Sequence, residues 1–197
     1  MHMKKLFIIL LSVALLLGVC GCKGKSDEDL IRDAVADYLT SILAQPMQLL
    51  SGNDEIVSHN GSDSVLWPIL NEMMKRMTYK IAKTTIDGDR ATVDLEFASY
   101  DLGKSYSEMV REYIDAIVQI FAQQGSWSDD EIVGVMTECW QKTLGEAEES
   151  GLTRITPFTM ELTRTAEGWK VSDCLASQDF LDIISGGILS AFGSLDE

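Results

Sequence analysis

The chain has 197 residues, 46% of them hydrophobic, and 16 Lys and Arg against 31 Asp and Glu give it a formal net charge of −15. Length and apolar content suit one folded domain and exclude a disordered chain. The acid excess excludes nucleic acid as a partner, because a phosphate backbone needs a clustered basic surface.

Lys4 and Lys5 open the chain and run into an apolar stretch over residues 6–19, followed by Cys20-Gly21-Cys22. Those fourteen residues rise about 1.5 Å each and fall short of the roughly 30 Å of a bilayer core. A basic start, an apolar middle and a small-residue end describe a secretory signal peptide. Val19-Cys20-Gly21-Cys22 resembles the lipobox of bacterial lipoproteins. The resemblance implies cleavage between Gly21 and Cys22, fatty-acyl (palmitate) chains on Cys22, and a cell-membrane location with the domain on the extracytoplasmic side. Gly21 is the small residue the family prefers before its cysteine; Cys20, preceded by the larger Val19, is the alternative attachment site. Residues 1–21 are then a signal peptide, 22–26 the lipidated cysteine with a short linker, and 27–197 a single α+β domain. Cleavage would leave 176 residues with net charge −17, since Lys4 and Lys5 are lost and no acid is. Two acyl chains suffice for stable anchoring.

Ser26-Asp27-Glu28-Asp29 offers a cap and first-turn acids, and Ile31, Ala34, Val35, Tyr38, Leu39 and Ile42 recur at helical spacing. Pro46 ends or kinks this helix, and residues 51–64, rich in Gly, Asn, Asp and Ser, read as a loop. A second helix carries Pro68 in its first turn and Leu70, Met73, Met74 and Met77 on its buried side. The period then becomes two: Tyr79 and Ile81, a turn at Asp87-Gly88, then Ala91, Val93, Leu95 and Phe97. Asp-Gly between such runs predicts a type I′ hairpin, and charged Asp94 and Glu96 predict one solvated sheet face.

Two long helices follow. Met109, Val110, Tyr113, Ile114, Ile117, Val118 and Phe121 make one apolar stripe closed by Gly125, and Ser128 with Glu131 forms a capping box for a helix ending near Gly151. Alternation returns at Phe158, Met160 and Leu162. Pro157 lacks a donor, so that strand begins there or lies at an edge. Gly168 turns into a short strand at Trp169-Lys170-Val171, and Ser177 caps a final apolar helix through Phe180, Leu181, Ile184 and Ile188, weakened by Gly186-Gly187. The fold class is α+β, a curved antiparallel sheet of about four strands packed on one face by helices.

The segments YKIAKTTIDGDRATVDLEF and FTMELTRTAEGWKVSD resemble the hairpins of the cystatin-like or nuclear-transport-factor-2-like cone, as found in lipoproteins of Gram-positive bacteria. With the leading helices, which share the resemblance, they cover about a third of the chain. The two helices over residues 105–149 depart from the basic cone as insertions, which puts functions based on the cone's pocket in doubt.

Candidate chemistry is sparse. His59 is the single histidine of the mature chain; its neighbours Ser58, Asn60 and Gly61 are turn formers, so neither a zinc site nor a nucleophile–histidine constellation is expected. Asn53, Asp54, Glu55 and Asp63 lack the spacing and closing acid of a calcium loop, and no phosphate-binding glycine motif is present. We expect no metal and no cofactor. Cys139 and Cys174 read as two buried thiols, with an exported disulfide as the alternative. Acids at Asp129, Asp130 and Glu131 complement a helix dipole, whereas Glu146, Glu148 and Glu149 sit at a helix end and call for solvation or a cationic partner. Trp67, Trp127, Trp140 and Trp169 read as core or rim residues.

The expected function is a lipid-anchored, non-enzymatic binding or interaction domain taking a small apolar ligand, a peptide or another envelope protein. The alternative is a cone-pocket enzyme of isomerase or hydratase type, for which Tyr38, Tyr79, Tyr100, Tyr113 and Asp94 supply acid–base groups. Asp94, opposite in phase to Val93 and Leu95, should face solvent.

Overall fold

Helix formation begins where the sequence supplies a cap. The structure, a computed structural model, describes residues 25–46, 48, 66–124, 126 and 128–193. Its elements are α1 (Asp27–Leu43), α2 (Leu66–Lys75), β1 (Thr78–Asp87), β2 (Arg90–Ser99), α3 (Leu102–Gln124), α4 (Asp129–Ser150), β3 (Arg154–Thr165), β4 (Gly168–Val171), α5 (Gln178–Ile184) and α6 (Ile188–Gly193). At the head of α1 the Asp29 N–H donates to Ser26 Oγ at 3.2 Å and the Ser26 N–H returns a bond to the Asp29 carboxylate at 3.3 Å. Ser128 and Glu131 repeat the device on α4. Each box satisfies two amides that the first helical turn leaves without partners.

The four strands form one antiparallel sheet in the order β1-β2-β3-β4. The first hairpin differs from expectation in its turn. Asp87 pairs with Arg90, so the loop residues are Gly88 and Asp89. Gly88 alone has a positive φ, 60°, which is the type II′ arrangement, with glycine first, in place of type I′. A bulge at Ala82 also breaks the register of β1. Before it Tyr79 and Ile81 oppose Phe97 and Leu95; after it Thr84 and Ile86 oppose Val93 and Ala91. One extra residue thus moves the inward phase from odd to even positions.

β3 begins at Arg154, three residues before Pro157, so the strand does not start at the proline. Pro157 pairs with Glu96 on one side, while β4 reaches only Leu162 to Thr165 on the other. Among the described residues, the proline therefore lies in the half of β3 that has a strand on one side only. The final helix is split rather than weakened: α5 ends at Ile184, and Gly186 and Gly187, with φ of 65° and 91°, turn the chain into α6. Here the backbone approaches α3 so closely that a Cβ on Gly103 would lie 2.4 Å from the Gly187 carbonyl oxygen.

The apolar side chains fall into two clusters. In the first, the inner sheet face (Val93, Leu95, Phe97, Met160, Leu162) packs against Ile31, Val35 and Leu39 of α1 and Phe180 of α5. Full burial of each such side chain contributes about 1.5–3 kcal/mol. In the second, α2, α3, α4 and α6 meet around Met73, Leu102, Met109, Trp140 and Leu144. The two long helices thus pack on each other and on α6 and α2. They build a helical layer at the end of the sheet where β2 leaves and β3 enters.

Candidate functional site

The inner face of the sheet is filled. Val93, Leu95, Phe97, Met160 and Phe180 are no more than 1% exposed, so the grooves of the sheet region lie on its outer face, beside Thr85, Thr92 and Glu161, and along its rims. One, of about 650 Å³, runs between α1 and β4 and is lined by Asp37, Tyr38, Trp169 and Asp173. Another follows the open half of β3 beside Asp179 and Asp182 of α5.

The acid–base candidates are dispersed. Tyr38 and Tyr79 pack in the sheet cluster, and Tyr100 and Tyr113 in the helical one. Asp94 lies on the outer sheet face, as its phase predicts, where its carboxylate accepts the Thr159 hydroxyl at 2.8 Å. The Tyr38 hydroxyl oxygen accepts the Cys174 N–H at 3.1 Å, and burial pushes its pKa up to about 12. Tyr100 Oη accepts from Arg76 Nη1 at 3.5 Å. Cys139 and Cys174 are free thiols, one in each cluster, and burial raises the pKa of both.

Of the tryptophans, Trp140 packs on Tyr106 with ring centroids 5.7 Å apart, and Trp169 lies under the Arg164 guanidinium at 4.7 Å. The side chains of Trp67 and Trp127, together with Cys20, Gly21, Cys22, His59, Asn53, Asp54, Glu55 and Asp63, lie outside the described residues. Glu148 has the cationic partner its helix-end position calls for: Arg76 Nη1, at 2.5 Å. Among the described residues, no group of three or more His, Cys, Asp or Glu is placed to hold a metal ion, and no helix is long and apolar enough to cross a membrane.

What sequence periodicity missed is a surface. The apolar stripe of α3 is wider than its neighbours can cover. Met109 is buried, and Val110 and Tyr113 pack on the helical cluster. Ile114, Val118 and Phe121 are 54%, 61% and 57% exposed, and Val133 on α4 is 56% exposed. Spacings of four and three residues put the three α3 side chains on one line. The signal was present as seven apolar positions spread over half the helix circumference, an arc wider than one packing partner occupies. Electrostatics sharpens the feature. Residues 112–141 contain six acids and no Lys, Arg or His. Glu112 is paired with Lys142, while Asp129, Asp130 and Glu131 ring the start of α4 beside Val133. The outer half of the α3–α4 pair is therefore an apolar ridge with an acidic rim.

No family model matches the chain, and no curated protein matches it. Among solved structures it is similar to a candidate lipoprotein, YcdA, from Bacillus subtilis, with 17% sequence identity and a TM-score of 0.42. The match covers 68% of this chain and 44% of that one, so the chain spans less than half the length of that protein.

Proposed function

We propose that the chain is a bacterial lipoprotein, cleaved after Gly21 and acylated on Cys22, whose cystatin-like domain is a non-enzymatic binding module on the extracytoplasmic side. In this reading the outer α3–α4 ridge receives an amphipathic segment of another envelope protein, apolar on one face and flanked by Lys or Arg. The observation that carries the binding role is the exposed line Ile114–Val118–Phe121 inside a basic-free, acid-rimmed segment. An apolar patch of this kind on an otherwise charged surface marks an interaction site, and its acidic rim selects a cationic partner. A second copy of this chain, itself strongly acidic, fits the rim poorly. The anchor rests on the n-region, the apolar stretch and the Gly21-Cys22 junction.

Two measurements test this. Cys22→Ala should abolish labelling by an alkynyl fatty acid and release the protein from membranes; persistent labelling that vanishes only in Cys20→Ala moves the attachment to Cys20. For the ridge, a synthetic Leu/Lys amphipathic helix should bind the soluble domain, residues 23–197, in fluorescence anisotropy, with salt weakening the complex. Val118→Asp should abolish that binding. Equal binding of a Leu/Glu helix, or binding indifferent to Val118→Asp, overturns the assignment, as does a domain dimer in sedimentation that Val118→Asp dissolves.

A further inference from the structure

The two ends of the sheet are chemically distinct. At one end lie both hairpin turns, Gly88-Asp89 and Ala166-Glu167, and the start of α1. That start is pinned there: Arg164 Nη2 donates to the Asp27 carboxylate and Arg164 Nε lies 3.5 Å from Asp89, while Trp169 Nε1 donates to Asp27 at 3.3 Å. Arg164 is itself stacked over Trp169. The first residue of α1 is thus bound to the β3–β4 hairpin, whose Arg164 reaches on to the β1–β2 turn. At the other end β2 leaves through Ser99 into α3, and β3 enters from α4 at Arg154. There Arg154 binds Asp182 of α5 at 2.8 Å, and Arg76, between α2 and β1, binds Glu148 of α4 in the helical layer. The ten residues of β2, at about 3.3 Å each, hold the two ends about 30 Å apart.

From this we infer that the domain stands on the bilayer by its turn end, with the Asp27–Arg164–Trp169 clasp toward the lipid and the α3–α4 ridge held away from it. The inference rests on the lipid-anchor reading of Cys22. Five residue steps separate Cys22 from Asp27, and extended chain covers at most about 18 Å in that distance. The clasp converts that short tether into an orientation, because a helix that could fray at its first turn would leave the domain free to roll. Charge acts in the same sense. The described bases nearest the tether are Lys25, Arg32 and Arg164, although Asp33, Asp29 and Asp27 pair with them in turn. The helical layer instead carries the long basic-free segment, which an anionic bilayer surface repels. The ridge then faces outward, where a protein reaches it and a lipid does not.

The test uses the full lipidated chain, extracted from membranes and reconstituted in phosphatidylcholine–phosphatidylglycerol vesicles containing a headgroup-nitroxide lipid. A thiol fluorophore is placed by Glu167→Cys or by Gln123→Cys, each with Cys139→Ala so that only buried Cys174 remains beside the added thiol. The nitroxide should quench the label at position 167 and leave the label at 123 at its unquenched intensity. Asp27→Asn together with Arg164→Gln should bring the two labels to similar quenching while vesicle flotation persists. Equal or reversed quenching in the chain with its clasp intact, with flotation retained, overturns the orientation alone. Failure of every variant to float overturns the anchor and the orientation with it.

Discussion

The phenolic oxygen of Tyr38, on α1, accepts the main-chain N–H of Cys174, in the segment between β4 and α5, at 3.1 Å. The bond ties the helix to a stretch of chain outside any ladder. Tyr38→Phe leaves a poorly hydrated N–H without its acceptor, and the expected loss is about 1–2 kcal/mol in urea denaturation. An unchanged midpoint would mean that another acceptor serves that amide.

The same residue gives an alkaline signature. Burial raises its pKa from 10.0 to about 12, so between those values the folded state holds a proton that the unfolded state has released. Stability is therefore intact below pH 10 and falls as pH rises toward 12. Tyr79, Tyr106 and Cys174 shift in the same direction by burial. Tyr38→Phe should flatten part of this slope in denaturation series taken across the window.

On the acid side Asp27 is held below its usual value, chiefly by the hydrogen bond from Arg164 and then by that from Trp169. A depressed carboxylate contributes stability above its unfolded value, near pH 4, and loses it as pH falls through the folded one. Asp29 and Glu131, each bonded in its capping box, behave alike. Asp27→Asn should lower stability at neutral pH and reduce its fall in the acid limb. A parallel shift of the whole profile would place the contribution elsewhere.

Phe180 and Val118 are apolar helical residues with opposite surroundings. Phe180 is fully buried between Phe97 and Phe158, and Val118 is 61% exposed. Phe180→Ala should cost about 3–5 kcal/mol. Val118→Ala should change stability by no more than about 0.5 kcal/mol. A large effect at Val118 would mean that the ridge is covered within the molecule.

Gly103→Ala is expected to destabilise the domain by more than about 2 kcal/mol, because the added methyl meets main-chain atoms of Gly187 that no rotamer can move aside. Gly134→Ala, a helical site with open space at the added methyl, should stabilise by up to about 1 kcal/mol. Thermal melts of the two variants read both effects.

Most elements were legible in the sequence because local chemistry decides them. Ser26 and Ser128 announce their helices, and the alternation of Ala91 to Phe97 sets one strand and its buried face. The second layer was not legible. Periodicity shows that Met109 and Val118 are both apolar and on which arc each lies, but not that a neighbour covers one and leaves the other bare. The bulge at Ala82 escaped for a related reason: alternation on both sides of it is regular, and only the pairing with β2 reveals the change of phase. Pro157 gave half its meaning, since a missing donor signals an open side without saying whether the strand starts there. The lipobox residues Gly21 and Cys22 remain a reading of sequence, outside the described residues.

That open side has a consequence for chains crowded together. The Glu161 carbonyl accepts from the Ser172 N–H, so odd-numbered residues of β3 turn their main-chain groups toward the uncovered rim, and Pro157 shares that phase in an unbroken register. A neighbouring molecule seeking to add a strand along residues 155–159 meets donors at Ile155 and Thr159 with a gap at Pro157 between them. At high local concentration encounters between copies multiply, and a single imino acid on that rim works against their seeding a shared sheet.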